Sequence, residues 1–207
     1  MTVTRLFFSV VFLLLACLIA DIAQADEPPF DRKAMEKSDN PVNQRFITAI
    51  GQNDMGPLGE MLASGADPNT ADSKRVSPLH YAAHVGHVDS MKLLIGKGAR
   101  VNASTFGGWT PLYYAAFAGH LAAGELLLSK GARLDAVDAG GETPLFYAIE
   151  GGHPDVVRWM VERGANINHL NSKGETPLAV ATEHKQQGIA DYLKSRGAKQ
   201  ATGAGSP

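Results

Sequence analysis

Gly108-Trp109-Thr110-Pro111-Leu112-Tyr113-Tyr114-Ala115-Ala116 decides the fold, because it recurs. Thirty-three residues upstream stands Arg75-Val76-Ser77-Pro78-Leu79-His80-Tyr81-Ala82-Ala83. Thirty-three downstream stands Gly141-Glu142-Thr143-Pro144-Leu145-Phe146-Tyr147-Ala148, and one period later Gly174-Glu175-Thr176-Pro177-Leu178-Ala179-Val180-Ala181. Four copies at one spacing predict a solenoid, in which each unit buries its apolar face by stacking on its neighbours.

Each copy has a mechanical reading. The Ser or Thr before Pro is placed to cap a helix by accepting backbone N–H bonds. Pro at the first helical position has the right φ and needs no donor. Leu and the alanines then face the core, and the small alanines let neighbouring helices approach. A second helix follows, ending in an apolar cluster such as Leu126-Leu127-Leu128 and stopping at Gly131-Ala132, where Gly takes a left-handed cap. The Gly before the next Thr suits a tight turn. Each unit is therefore expected to run helix, turn, helix and projecting β-turn.

Motif and period resemble ankyrin repeats over about residues 40–200. The resemblance implies an all-α ankyrin-repeat solenoid of helix-turn-helix units with β-turn or hairpin fingers. It also implies a binding mode in which partners dock on the concave face. Five units are expected, over residues 39–71, 72–104, 105–137, 138–170 and 171–200. The first is a degenerate N-terminal cap: Gln44-Arg45-Phe46 stands where later copies have Thr-Pro-Leu. In the last, Lys185-Gln186 replaces the Gly-His of Gly86-His87, Gly119-His120 and Gly152-His153. Lys194 also takes the place of apolar Ile95, Leu128 and Val161, as suits a C-terminal cap whose outer face meets water. One departure stands out: Arg75 occupies the turn position that Gly108, Gly141 and Gly174 fill, and is strained there if the turn needs positive φ.

Arg5 precedes an apolar run over residues 6–20, and Ala23-Gln24-Ala25 follows. A positive start, a run too short for a membrane span and an A-x-A site predict a signal peptide, residues 1–25, cleaved after Ala25. The alternatives are an uncleaved anchor in the inner membrane and a lipid on Cys17, since Leu14-Leu15-Ala16-Cys17 resembles a bacterial lipoprotein box. Cys17 is the only cysteine, so cleavage leaves a chain without disulfides. Residues 26–38 read as a polar linker and 201–207 as a disordered tail. The expected location is the periplasm, or outside the cell after secretion. A formal charge of −2 gives no general attraction to nucleic acid or an anionic membrane.

No nucleophile elbow, C-x-x-C or phosphate-cradling glycine pattern occurs. His80 and His84 have the i, i+4 spacing of a metal pair. The resemblance instead implies that His in the Thr-Pro-Leu-His slot ties helices and turns together. Asn102-Ala103-Ser104 is a formal glycosylation triplet, although the family uses that Asn, matched by Asn69 and Asn168, structurally. Acidic residues recur at repeat spacing rather than as a catalytic pair. No cofactor, no metal and no enzyme activity are expected.

The resemblance places partner contacts at the turn tips and late in each first helix. The tip residues before Ser or Thr are Val76, Trp109, Glu142 and Glu175; the late-helix residues are His84, Phe117, Glu150 and Glu183. The two series change character together, giving one groove with an aromatic half and an acidic half. Lys74 and Phe106 are additional tip contacts. Aromatics dominate interface hot spots, and an acidic flank speeds association with a basic partner. Tyr81, Tyr114 and Tyr147 recur at the period and read as a packing ladder, while Trp159 reads as core. The expected protein is a monomeric, non-catalytic binder of a protein with a basic patch, acting as periplasmic scaffold or inhibitor. The alternatives are a secreted effector and a metal protein or enzyme.

Overall fold

The computed structural model describes residues 36–201. The proposed signal peptide with Ala25 and Cys17, most of the linker and the tail beyond 201 lie outside them. Ten helices and no strand occur among the described residues. They pair as α1 (Pro41–Gly51) with α2 (Met55–Ala63), α3 (Pro78–Val85) with α4 (Val88–Gly96), and α5 (Pro111–Phe117) with α6 (Leu121–Ser129). The last pairs are α7 (Pro144–Glu150) with α8 (Pro154–Glu162), and α9 (Pro177–Glu183) with α10 (Gln187–Ser195). Consecutive pairs stack in chain order and form an all-α repeat solenoid.

The first helices lie closer to one another than the second helices do. The reason is side-chain size: Ala82, Ala83, Ala115, Ala116, Ala148 and Ala181 are all buried between them. Closer packing on that side curves the stack toward the first helices. Between the second helices the core is Leu94, Leu127, Met160 and Leu193, fully buried at the repeat spacing. Trp159 is buried, as expected of core, and its ring covers Gly124 of the preceding unit, where an added Cβ would meet it at 2.9 Å.

Helix starts follow the motif only in part. Pro opens α3, α5, α7 and α9. Thr176 caps through its hydroxyl, which accepts from Ala179 N–H at 3.2 Å. Thr110 and Thr143 make no such bond, and their hydroxyls are buried. The first unit departs further. Asn40-Pro41 starts α1 well before Gln44-Arg45-Phe46, with Asn40 Oδ1 accepting from Val42 N–H at 3.0 Å. The extra turn brings in Asn43, whose buried amide donates to the Val76 carbonyl at 2.9 Å.

The fingers are hydrogen-bonded turns rather than strands. In each, the backbone closes across four residues, as from Asp138 N–H to Glu142 O (3.0 Å) and from Gly141 N–H back to Asp138 O (3.1 Å). Neighbouring fingers join through Phe106 N–H to Lys74 O, Ala139 N–H to Gly107 O and Ser172 N–H to Gly140 O. The turn does require positive φ: Gly108, Gly141 and Gly174 sit at 87°, 76° and 76°. Arg75 sits at 64°, so the strain expected there is present. Its guanidinium lies 4.6 Å from the centroid of the Phe106 ring, a cation–π contact that offsets part of that cost.

Candidate partner-binding groove

The groove face is built from side chains that cross between units. His80 is fully buried on α3. Ser77 N–H donates to its Nδ1 (3.1 Å), which leaves the hydrogen on Nε2, facing the carbonyls of Ala103 and Trp109, each at 3.1 Å. Burial holds this imidazole down at about 4, against 6.5 for a free one. Tyr113 stands one period on and does the same work with a different group. Its hydroxyl lies 2.5 Å from the Ala136 carbonyl and 2.8 Å from that of Glu142, the equivalents of Ala103 and Trp109. His80 is thus an anchor for the next finger, with both ring nitrogens engaged. Among the described residues no three His, Cys, Asp or Glu side chains gather as a metal site.

The asparagines of the repeat also bond to the backbone of the next unit. Asn102 Nδ2 donates to Gly131 O (2.8 Å) while its Oδ1 accepts from Arg133 N–H (2.9 Å); Asn69 makes the same pair with Gly98 and Arg100. Both ends of the Asn102 amide therefore serve as a strut between units.

Trp109 is where the structure adds most to the sequence reading. Its indole N–H donates to Asp138 Oδ2 (2.9 Å) and to the Tyr147 oxygen (2.7 Å), and the Tyr147 hydroxyl donates to the same Asp138 oxygen (2.7 Å). Asp138 Oδ1 meanwhile accepts Glu142 N–H at 2.7 Å. Burial and the nearby Asp138 charge push the Tyr147 phenol far above its usual range, so it stays a donor at any physiological pH. Trp109 is half-buried and its ring lies over Gly107, where a Cβ would sit 2.7 Å away. The aromatic half and the acidic half are therefore joined by hydrogen bonds through Trp109, Tyr147 and Asp138.

The remaining groove residues sort by exposure. Phe117, His84, Glu142, Glu150 and Glu175 are half-buried; Glu183, Lys74 and Phe106 are exposed, Phe106 at 68%. Val76 corrects the sequence reading. It is 8% exposed, because the extra turn of α1 covers the first finger and binds its carbonyl through Asn43, and it offers a partner no side chain. The tyrosine series is buried throughout, at 2%, 1% and 6% for Tyr81, Tyr114 and Tyr147. Tyr114 meets the His80 ring edge-on at 5.3 Å, and Tyr147 meets Tyr113 at 5.1 Å, so each leans on the preceding unit.

Electrostatically the face is polarised. Lys74 and Arg75 mark the second unit, and the carboxylates lie in the fourth and fifth. The Asn171 amide donates to Glu142 Oε1 (3.0 Å) and to Glu175 Oε2 (2.9 Å), holding two carboxylates side by side. Burial raises the Glu142 carboxyl above its usual range, and Asp138 and Glu175 add to the rise. Burial also pushes Glu150 up to about 7, helped by Glu142 and Asp138 and opposed by Lys173. The sequence reading missed Asp138. The signal was present: Asp72, Thr105, Asp138 and Asn171 recur at the period, each a short polar side chain able to bond an N–H four residues on.

Among curated proteins none matches the sequence. The family model for ankyrin repeats (3 copies) matches residues 46–138 and 133–202, together well over half of the chain. With ten stacked helices, a single repeat spacing and fingers at each junction, the chain belongs to the ankyrin-repeat family.

Proposed function

We propose that the array captures a partner protein on its groove face, outside the cytoplasm, and acts there as a scaffold or inhibitor. Ankyrin repeats are protein–protein interaction modules, typically without catalysis. One observation carries the assignment to this face: Phe117, Trp109, Glu142 and Glu150 gather on the finger and first-helix side, all half-buried and all short of full cover. Half-covered aromatic rings and carboxylates gain most from a second surface. Because the fingers are bonded to one another, the groove is preformed and little ordering cost attends docking. Location rests on the N-terminal sequence, Arg5, the apolar run and Ala23-Gln24-Ala25. Among the described residues no helix is long and apolar enough to cross a membrane.

The test is a crosslinking pull-down from the extracytoplasmic fraction, with residues 26–207 as bait beside the folded variant Phe117→Ala, Glu183→Ala. A partner held by the parent and lost by the variant supports the groove. Equal recovery by both baits refutes it. Release of the mature protein into the medium, with no periplasmic partner, replaces the scaffold reading with that of a secreted effector.

A further inference from the structure

A net charge of −2 conceals a segregation of charge along the stack. The second helices of the four later units end on one motif: Gly96-Lys97-Gly98-Ala99-Arg100, Ser129-Lys130-Gly131-Ala132-Arg133, Glu162-Arg163-Gly164-Ala165-Asn166 and Ser195-Arg196-Gly197-Ala198-Lys199. These stretches hold seven cations and one carboxylate, a net +6 that leaves the rest of the chain acidic. Lys97, Lys130, Arg163 and Arg196 cap the C-termini of α4, α6, α8 and α10, so they stand in register down the stack. Packed helices lie about 8–10 Å apart, which makes this row about 25–30 Å long. Arg100, Arg133 and Lys199 form a second row three residues on. Their backbone N–H groups donate to Asn69, Asn102 and Asn168 of the preceding units at 2.8, 2.9 and 2.8 Å, so the second row rides on a braced backbone. All seven side chains are exposed, and among the described residues none donates a hydrogen bond or forms an ion pair within 4.0 Å. The carbonyl ends of helices favour cations. That preference alone does not account for the rows, since no head group bonds a helix carbonyl and the second row lies beyond the helices. Between the rows the surface is bare: a Cβ added at Gly98, Gly131, Gly164 or Gly197 would meet nothing within 4 Å. Arg163 and Arg196 lie 5.9 and 5.6 Å from the ring centroids of Trp159 and Tyr192, which steady the guanidinium groups and leave their N–H edges open.

We propose that this strip is a second docking surface, which lies against the anionic headgroups of a phospholipid bilayer and leaves the first-helix side free. The inference goes beyond capture of a partner in the groove and does not depend on it. Charge complementarity selects an anionic occupant: the strip concentrates the cations that the net charge hides. Its form selects a broad one. Two rows of unpaired cations, with no side chain standing over the bare glycines between them, match a lateral array of headgroups rather than one enclosed molecule. The cleft between α1 and α2, lined by Gln44, Arg45 and Glu60 among others, includes no residue of the strip. Each cation brought to such a membrane strengthens binding about fivefold, and salt screens the attraction. The first unit does not contribute, because Ser64 and Asp67 stand at the two equivalent places.

The test is co-sedimentation of residues 26–207, which keep every helix of the array, with vesicles of phosphatidylglycerol and phosphatidylcholine in equal parts. Vesicles of phosphatidylcholine alone are the neutral comparison. The expected result is binding to the anionic vesicles only, released at 1 M salt, where screening acts within about 3 Å. Lys130→Gln, Arg133→Gln, checked as folded by thermal unfolding, should bind about twenty-five-fold more weakly. Lys37→Gln, Lys185→Gln removes the same charge from exposed positions off the strip and should bind as the parent does. Ser64→Lys extends the first row by one unit and should bind about fivefold more tightly, a gain that damage to the fold would not produce. No binding, equal binding to neutral vesicles, or equal weakening by the two double variants each overturns the proposal. Soluble polyphosphate bound more tightly than the vesicles would assign the strip to a linear polyanion and likewise overturn it. The groove reading is tested separately: a natural partner lost by Phe117→Ala, Glu183→Ala and kept by Lys130→Gln, Arg133→Gln leaves the groove standing whatever the vesicles do.

Discussion

Replacing His80 with alanine removes one ring that three backbone groups depend on. Ser77 N–H loses its acceptor, and the Ala103 and Trp109 carbonyls lose their shared donor. Trp109 O keeps the Thr105 N–H bond, so the buried Ser77 N–H and the part-buried Ala103 carbonyl are left unsatisfied. At about 1–3 kcal/mol each, with a further loss from the gap beside Tyr114, the cost at pH 7.5 is about 3–5 kcal/mol. For an array of this size that lowers the thermal midpoint by roughly 6–20 °C. The pH dependence is the sharper test. His80 titrates at about 4 when folded and 6.5 when free, so its depressed value favours the native state above pH 6.5. That stability is lost as pH falls from 6.5 through 4, because the unfolded chain binds the proton first. By pH 4.5 the loss amounts to about 2.5 kcal/mol. His80→Ala lacks this term, so urea unfolding should show the gap between parent and variant narrowing by about 2.5 kcal/mol between pH 7.5 and 4.5. A gap constant across that range would refute a buried neutral imidazole at this junction.

Other outcomes follow from named contacts. Leu127→Ala, fully buried between second helices, should cost about 2–5 kcal/mol, and an unchanged thermal midpoint would contradict its placement. Gly108 and Gly131 share positive φ, at 87° and 86°, but only at Gly108 would a Cβ meet backbone, 2.9 Å from Asp138 Cα. Gly131→Ala should therefore cost about 1 kcal/mol and Gly108→Ala at least about 1 kcal/mol more; equal losses would deny the close finger contact. Glu150 has the opposite pH sign to His80. Its raised value makes the fold most stable below about 4.5, with that contribution lost as pH rises through about 7. Glu150→Gln should consequently be more stable than the parent at pH 8 and lose the advantage by about pH 4, as chemical denaturation would show.

The array was legible because its determinants are local and repeated. Thr-Pro-Leu starts, Gly stops and apolar clusters lie within one unit, and their period announces the stacking. Trp159 as core and the strain at Arg75 followed from that register. What escaped were bonds between units. Trp109 and Asp138 lie 29 residues apart, and nothing in either neighbourhood says that an indole will reach a carboxylate in the next finger. Val76 escaped for a related reason: the cover over its finger comes from the extra turn of α1, begun by Asn40-Pro41, which the degenerate first copy concealed. The Thr caps were over-read, since Thr110 and Thr143 satisfy the motif without making its bond. The equivalence of His80 and Tyr113 is visible only once both are seen to face equivalent carbonyls.

The central claim is that a partner lies along the fingers and first helices. Lysines mark the alternatives conveniently. Lys74 and Lys173 are exposed on fingers, whereas Lys92 on α4, Lys130 after α6 and Lys194 on α10 are exposed on the second-helix side. The most direct measurement is lysine crosslinking of the captured complex, read residue by residue by mass spectrometry. Crosslinks from the partner to Lys74 and Lys173, with Lys92, Lys130 and Lys194 unlinked, are the predicted result. Crosslinks confined to Lys92, Lys130 and Lys194 would put the partner on the opposite face and contradict the account.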